Sequence, residues 1–342
     1  MAMLNVDSLT RWVFQAAVPA VGMILLAALP GMAATCATSA EMDDAARSAL
    51  QQASLNFHKQ AVAGDVAGLR AGAIPSLAGD FAGIESAIIQ NQNNLKAGEA
   101  TILGTYLLQA EGTAPLPRAE FYCGIYNSPD RVTFVIPNLP PGRYGIVTQT
   151  TAGENPMFFT TVLNEQAGAW KLAGLTIKRK AISGHDSAYF ATQAREYAGK
   201  GQNLVAWLHY LQAWELMAPV NFMYTADRDK LVDEMQKAKP AELPTAETPL
   251  QVSGGGKTFA VIEVFSEPVE IESKTQMYLI LKYRATTDVS NTADTFQVNR
   301  EAIQAFLQRY PTMRTVFGGV VARAVDTSGR DYGTMFAMKD VK

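Results

Sequence analysis

Between residues 101 and 178 the sequence contains six short runs rich in β-branched and aromatic residues, separated by turn-forming residues. Two stretches with helical spacing of apolar residues, around 43–61 and 81–95, precede these runs. Period-two patterning over short runs predicts strands, whereas apolar residues three and four apart predict helices. Two helices followed by a series of strands predict an α+β domain with the helices packed on one sheet face. The runs are 101–109, 119–126, 132–137, 144–151, 158–163 and 170–178.

The composition limits the classes of function. The chain has 342 residues, 29 basic and 32 acidic side chains and a net charge of -3. At roughly 150 residues per domain, this length predicts about two domains. No concentrated basic surface is present to bind nucleic acid, so a nucleic-acid partner is not expected. Two cysteines and three histidines are too few for a disulfide-dense scaffold or a four-cysteine zinc site, so we predict no metal and no cofactor.

The first 34 residues have the order of an export signal. Arg11 precedes an uncharged apolar run at 13–29, and the small residues Ala33 and Ala34 follow it. This order predicts a signal peptide that is cleaved after Ala33 or Ala34, and hence a periplasmic or secreted protein. The run is short for a bilayer span, which favours a cleaved signal. An uncleaved anchor and a buried core helix are the alternatives.

The two cysteines leave three possibilities open. Cys36 follows the small residues at the position where a bacterial lipoprotein carries its acylated cysteine. A disulfide between Cys36 and Cys123 is chemically possible in an oxidising compartment. Cys123 could equally be a free, buried core residue. The protein would contact a membrane only if Cys36 is lipidated or the signal is not cleaved.

Residues 41–180 contain three features of a known superfamily. These are Phe57 and Ala61 on the first helix, the small-acidic turn at 64–69, and a Trp-Lys-Leu-Ala-Gly-Leu strand at 170–175. On these residues the region resembles the cystatin-like roll superfamily, which includes nuclear transport factor and the SnoaL-like proteins. The resemblance implies a sheet curled into a cone whose mouth forms an apolar pocket, and therefore a small apolar ligand.

The enzymes of that superfamily suggest which residues to examine. They pair an acidic base with a tyrosine, or a histidine with an aspartate, and the resemblance makes His58 and Asp65 the weak catalytic candidates here. It also makes Tyr106, Tyr122 and Tyr144 candidates for the pocket wall. None of these residues has the spacing that the enzymes require, and a structural histidine and sheet aromatics are the simpler interpretation.

Residues 183–243 are predicted to be helical, with amphipathic stretches at 188–198 and 204–216. The large, small and aromatic residues over 187–220 are spaced as in one tetratricopeptide repeat, which this segment resembles. One such hairpin cannot bury its apolar face alone, so we expect it to pack on a neighbouring block or on a partner. It would be either a protein-docking surface or a hairpin between domains.

The remaining sequence predicts a linker at 244–258 and a small domain at 259–342. The linker is rich in Pro, Thr and Gly. Along the chain, this domain has two strand regions, then a helix at 299–310, then a final strand pair. This series predicts a β-β-α-β-β order with an antiparallel sheet.

Two functions fit these features. The first is a non-catalytic exported factor that binds a protein partner or a small apolar ligand in the cell envelope, because interaction-type modules follow an export signal. The alternative is an exported isomerase-like or dehydratase-like enzyme that uses the roll cavity, with His58 or Asp65 as base. The sequence leaves the ligand, the partner and the oligomeric state open.

Overall fold

The computed structural model describes residues 34–341, apart from residues 97, 126, 127, 154, 273 and 287. The predicted signal peptide therefore lies outside the described residues, except for Ala34, where the first strand begins. None of the helices in this described part combines the length and the apolar character of a membrane span. Helices and antiparallel sheets are mixed along the chain, so the predicted α+β class is confirmed.

The N-terminal half, residues 34–180, contains four helices and seven strands among its described residues. These are β1 (Ala34–Thr38), α1 (Asp44–Ala63), α2 (Val66–Ala71), α3 (Pro75–Gly79), α4 (Ala82–Leu95), β2 (Thr101–Ala110), β3 (Leu116–Cys123), β4 (Val132–Leu139), β5 (Gly142–Thr150), β6 (Met157–Gln166) and β7 (Ala169–Arg179). The six predicted strands correspond to β2 through β7.

The C-terminal half, residues 181–341, begins with a two-residue hairpin and continues with helices before its sheet. Its elements are β8 (Ala181–Ile182), β9 (His185–Asp186), α5 (Ser187–Gly199), α6 (Asn203–Met217), β10 (Met223–Thr225), α7 (Ala226–Lys237), β11 (Leu250–Gly254), β12 (Lys257–Ile271), β13 (Lys274–Arg284), α8 (Thr292–Arg309), α9 (Met313–Val316), β14 (Gly319–Val325) and β15 (Asp331–Ala337).

The N-terminal half has three layers. Its central sheet has the order β1-β2-β5-β6-β7, with every neighbouring pair antiparallel. Helices α1, α2 and α4 cover one face through a core that contains Leu50, Ile88 and Phe159. A second sheet, β10-β4-β3, covers the other face through a core that contains Phe121 and Ile146. Because successive side chains of a strand point to opposite faces, the same central strands contribute residues to both cores.

Helix α1 shows how the sequence sets this layering. The Asp43 side chain accepts a hydrogen bond from the backbone N–H of Ala46 at 2.8 Å and starts the helix. Gly64, at φ 73°, ends it in the left-handed conformation that glycine adopts without a steric penalty. The buried positions Leu50, Ser54, Phe57, His58 and Ala61 form one face of the helix. That face carries both apolar and polar side chains to the central sheet.

The C-terminal half has one continuous core. Its sheet has the order β11-β12-β13-β14-β15, and the same core contains residues of the sheet, of α8 and of the hairpin α5–α6. The expectation that the helical hairpin packs on a neighbouring block is therefore confirmed.

Two details of the C-terminal prediction need correction. The predicted linker contains β11, whose Leu250 and Val252 are buried and which pairs with β12. Gln251 and Ser253 alternate with the buried residues and are exposed. Because turn-forming residues surround this short pattern, the sequence alone does not identify the strand. The sheet is also mixed rather than antiparallel, because β13 and β14 are parallel. Helix α8 joins these two strands and returns the chain to the end where β13 began, as a parallel crossover requires.

A buried arginine holds the segment of the C-terminal half that contains β10, the strand that pairs with the N-terminal half. Arg228 is 3% exposed, and its Nη1 donates to the carbonyl oxygens of Asn221, at 3.1 Å, and Met223. Its guanidinium lies 4.5 Å from the ring centroid of Trp214 on α6. Because β10 lies in this segment and pairs with β4, the arginine connects the helical hairpin to the second sheet of the N-terminal half.

Candidate functional site

His58 is a buried core residue. Its ring meets the ring of Phe159 edge-on, with 4.9 Å between the centroids, and only 6% of the residue is exposed. Burial lowers the pKa of His58, because a charged imidazole would lose its hydration. Its Nε2 atom is buried and has no hydrogen-bond partner among the described residues.

Polar residues that the sequence did not single out surround Ser54, one helical turn before His58. Gln149 Nε2 and Thr161 Oγ1 donate to Ser54 Oγ at 2.7 and 2.8 Å. All three residues are completely buried, and Gln149 Oε1 has no partner within the described part of the chain. A signal for this cluster exists in the sequence, since Ser54 and His58 occupy the inward positions that continue the apolar face of α1.

Asp65 is a helix cap at the surface. Its carboxylate accepts a hydrogen bond from the backbone N–H of Gly68 at 2.9 Å, at the start of α2. This contact accounts for the acidic residue in the small-acidic turn. Asp65 and His58 therefore have separate surroundings, one exposed and one buried.

The three candidate tyrosines do not converge on His58. Tyr106 and Tyr144 belong to the core between the two sheets, on the face opposite to α1. Tyr106 contacts the ring of Phe134 at 5.0 Å, and the Tyr144 hydroxyl donates to the carbonyl oxygen of Pro140 at 2.9 Å. Burial raises the pKa of both hydroxyls. Tyr122 is 60% exposed, and its hydroxyl donates to the carboxylate of Glu120.

Cys36 and Cys123 form a disulfide bond. Their Cα atoms are 5.1 Å apart, although 87 positions separate them in the sequence. The bond joins β1 at the edge of the central sheet to β3 of the second sheet. A cysteine in a disulfide has no thiol for acylation, so this arrangement replaces both a lipidated Cys36 and a free Cys123.

A cleft of about 320 Å³ lies in the C-terminal half, where the hairpin α5–α6 meets the β12–β13 hairpin and the turn before β14. Its volume is at the lower end of the range for small-molecule sites, about 300 to 1,000 Å³. We call it the aromatic cleft, because its lining includes the rings of His185, Tyr189, Phe190, His209 and Phe317.

The chain direction at β8–β9 explains why these rings meet. Ser183 and Gly184 both have positive φ, 51° and 77°, and form the tight turn that brings His185 back toward α5. The Asp186 side chain then caps α5 by accepting from the backbone N–H of Tyr189 at 3.0 Å. The His185 and Tyr189 rings stack with centroids 3.8 Å apart at the rim of the aromatic cleft. The Ser183 hydroxyl also donates to the carbonyl oxygen of Thr275 and so holds the turn on β13.

His209 lies at the centre of the ring array. Its ring is almost parallel to those of Tyr197 and Phe317, at centroid distances of 5.4 and 6.4 Å, and Phe190 lies at 5.9 Å. Burial lowers the pKa of His209 to about 4, so the imidazole is neutral near pH 7. The aromatic wall is then uncharged at this position.

Uncharged polar groups complete the aromatic cleft. No Lys, Arg, Asp or Glu is among its described lining residues. Gln212 is 8% exposed, and its side-chain amide, which has no hydrogen-bond partner in the described chain, is accessible from the cleft. The polar lining residues are Ser183, Gln212, Ser266, Thr275 and Gln276.

The N-terminal half has a groove that is larger than the aromatic cleft but less suited to bind a ligand. It lies between α2 and α4, has a volume of about 510 Å³, and is lined by Val66, Ala67, Arg70, Ala71 and Glu85. The Arg70–Glu85 pair at 3.4 Å is about half exposed on both sides. This groove has no buried polar group to orient a ligand, so the aromatic cleft is the better candidate site.

The described residues contain no group of three His, Cys, Asp or Glu side chains arranged to hold a metal ion. The residues that line the aromatic cleft come from four segments of the chain, at 182–190, 208–212, 266–277 and 316–318, so no local motif identifies them. Comparisons with protein-family models, curated proteins and solved structures found no match to this chain.

Proposed function

We propose that this chain is an exported, non-catalytic binding factor of the cell envelope that holds a small ligand in the aromatic cleft. The observation that carries the proposal is the composition of the cleft wall. Several aromatic rings and the side-chain amide of Gln212, which has no hydrogen-bond partner in the described chain, surround a space large enough for a small molecule. Apolar walls with a few placed polar groups are characteristic of ligand sites.

Two features support export. The order of basic, apolar and small residues up to Ala34 is that of a signal peptide. The disulfide between Cys36 and Cys123 is of a kind that persists in oxidising compartments and is rare in reducing ones. Cleavage near Ala34 would leave Cys36 in the mature chain, so the bond would survive processing.

The N-terminal half would support the binding function as a rigid module. We propose that it is a roll of the cystatin-like kind, on the basis of the first helix, the 64–69 turn and the last strand. Helices on one face of an antiparallel sheet are the arrangement that this proposal requires. In the same way, the hairpin α5–α6 is proposed to be a single tetratricopeptide-like unit whose apolar face packs on the C-terminal sheet.

The test is to block the aromatic cleft and look for the loss of a bound molecule. Ser266 lines the cleft from β12 and is half-buried, so Ser266→Trp places a large ring in the space. Its neighbour Glu267 is exposed and points to the other face of the strand, which makes Glu267→Trp the matched control.

Native mass spectrometry of the full chain recovered from the cell envelope measures the result. We expect a small-molecule adduct on the unchanged protein and on Glu267→Trp, and none on Ser266→Trp. An adduct of equal occupancy on all three proteins would place the ligand elsewhere and contradict the proposal. The same spectra report the mature mass and the loss of two hydrogens that the disulfide requires.

The enzyme alternative has one favourable observation, the buried and unpartnered Nε2 of His58. A general base needs a positioned partner and access to a substrate. Asp65 is engaged at the surface as a cap, and the candidate tyrosines belong to the opposite face of the sheet. The geometry therefore supports binding better than isomerisation or dehydration by these residues.

A further inference from the structure

The chemistry of the aromatic cleft also selects a class of ligand, on the condition that the proposed function is correct. The first selection is by charge. The described lining contains no Lys, Arg, Asp or Glu that could pair with a charged ligand, and His209 is neutral near pH 7. A charged group that enters such a site loses its hydration without gaining a partner, so an ion should bind more weakly than a neutral molecule of the same shape. The wall therefore favours an uncharged molecule.

The second selection is by shape. Phe190 and Phe317, only 4% and 5% exposed, face the cleft beside His209. The rings of His209 and Phe317 are within 13° of parallel. Flat aromatic surfaces contact another ring over a large area and favour offset-stacked or edge-on pairing. A flat ring of one or two cycles fits a volume of about 320 Å³.

The third selection is by hydrogen bonding. Gln212 is on α6, between the buried residues Leu208 and Leu216, and its amide lines the cleft without a hydrogen-bond partner among the described residues. An amide carries an acceptor oxygen beside a donor nitrogen. Because this amide faces the cleft and has no partner in the described chain, a ligand that offers the reverse pair would form two hydrogen bonds with it at once. The Gln212 amide therefore favours a ligand that carries a hydrogen-bond donor and an acceptor side by side.

We propose that the aromatic cleft binds an uncharged aromatic molecule with a carboxamide-like edge. Its ring packs among Phe190, His209 and Phe317, and its amide group pairs with the amide of Gln212. Sequence patterns do not indicate this site, because Phe190, Gln212 and Phe317 come from α5, α6 and the turn before β14.

Four probes of equal shape test the proposal on the full chain. Benzamide is neutral and carries both a donor and an acceptor. Acetophenone lacks the donor, benzoate is an anion and benzamidinium is a cation. We expect benzamide to bind about tenfold more tightly than acetophenone, the value of one hydrogen bond of about 1.4 kcal/mol. The two ions should bind at least about a hundredfold more weakly. Ligand-observed NMR titration gives the four dissociation constants.

Substitution of Gln212 provides the residue-level test. Gln212→Leu removes the amide but keeps an uncharged side chain of similar bulk, and it should remove the preference for benzamide over acetophenone. Gln212→Glu introduces a carboxylate and should reverse the charge selection, so that benzamidinium becomes the tightest of the four probes. Gln90→Leu is the control, because Gln90 is exposed on α4 in the N-terminal half. A gain of benzamidinium binding cannot result from misfolding.

Different results would overturn this inference alone and the proposed function. Equal binding of benzamide and benzoate, an unchanged preference in Gln212→Leu, or no binding of any probe would overturn this inference. The proposed function would still stand if the native adduct is lost in Ser266→Trp. An adduct that Ser266→Trp leaves unchanged would overturn the proposed function and this inference together.

Discussion

Each half of the protein carries on a helix a histidine whose pKa is lowered, but only one of the two histidines borders an open space. His58 on α1 packs edge-on against Phe159 inside a layered core. His209 on α6 lines a cleft whose other walls are aromatic. Burial lowers the pKa of both residues. A histidine whose pKa is lowered by burial therefore identifies a candidate site only where a ligand has room to reach it.

The two halves also differ in what stabilises them. The N-terminal half has separate cores on the two faces of its central sheet, and a disulfide connects the two sheets. The C-terminal half has a single core that includes the helical hairpin.

Removal of the disulfide should give the largest effect and should act on the N-terminal half. The cysteines are 87 positions apart, and a loop of this length stabilises the folded state by about 4 to 5 kcal/mol in the chain-entropy model. We expect Cys36→Ser with Cys123→Ser to lower the free energy of unfolding by about that amount. Hydrogen exchange should show loss of protection in β1, β2 and β3 and little change in α6. Equal loss in both halves would mean that they unfold as one unit.

A matched pair of phenylalanine substitutions tests the surroundings of the two histidines directly. Phe159→Ala leaves a closed cavity beside His58 and should cost about 3 to 5 kcal/mol, measured by urea unfolding. Phe317→Ala should cost less, about 2 to 3 kcal/mol, because the space it leaves joins a cleft that water can enter. Only Phe317→Ala should weaken benzamide binding. A larger stability loss for Phe317→Ala would contradict the view that its neighbourhood is open.

The sequence predicted the local structure better than the site. The strands β2 to β7 were recognisable because alternating side chains face two different cores, and α1 because an Asp cap and a glycine mark its ends. The strand β11 was missed because only two of its residues are buried among turn-forming residues. The parallel pairing of β13 with β14 depends on how α8 packs, which is a tertiary property.

The candidate site residues show the same limit. The pleat of a strand places Tyr106 and Tyr144 on one face of the sheet, whereas His58 reaches the other face from α1. The alternation of apolar and polar residues along each strand is visible in the sequence. Which helices or strands cover each face of the sheet is not. The aromatic cleft requires long-range packing of α5, α6 and the turn before β14, and spacing along the chain carries no record of that packing.

Acidic pH should destabilise the protein through its buried histidines. The pKa of His209 is about 4 in the folded state and near 6.5 when unfolded, so its stabilising contribution is fully present above about pH 6.5 and is lost as pH falls toward 4. Between pH 7 and pH 5 this residue should account for a loss of about 2 kcal/mol. The pKa of His58 is shifted in the same direction.

Two variants apportion this pH dependence between the halves. His209→Phe keeps an aromatic ring in the array and should flatten the unfolding free energy between pH 7 and pH 5. His58→Phe should flatten it less, because no comparably large shift is found there. If His209→Phe and the unchanged protein lose equal stability over this range, the imidazole is not held neutral by burial.

Asp65 should give the smallest effect, and it separates a structural from a catalytic role. As the cap of α2, it should cost about 1 kcal/mol when replaced in Asp65→Ala. Asp65→Asn should retain most of that stability, because the amide oxygen can accept the same hydrogen bond from Gly68. A catalytic base would lose its function in both variants, since neither side chain can take up a proton. Equal stability of Asp65→Asn and the unchanged protein, with unchanged occupancy of the native adduct, would assign Asp65 to the helix and leave the aromatic cleft as the site.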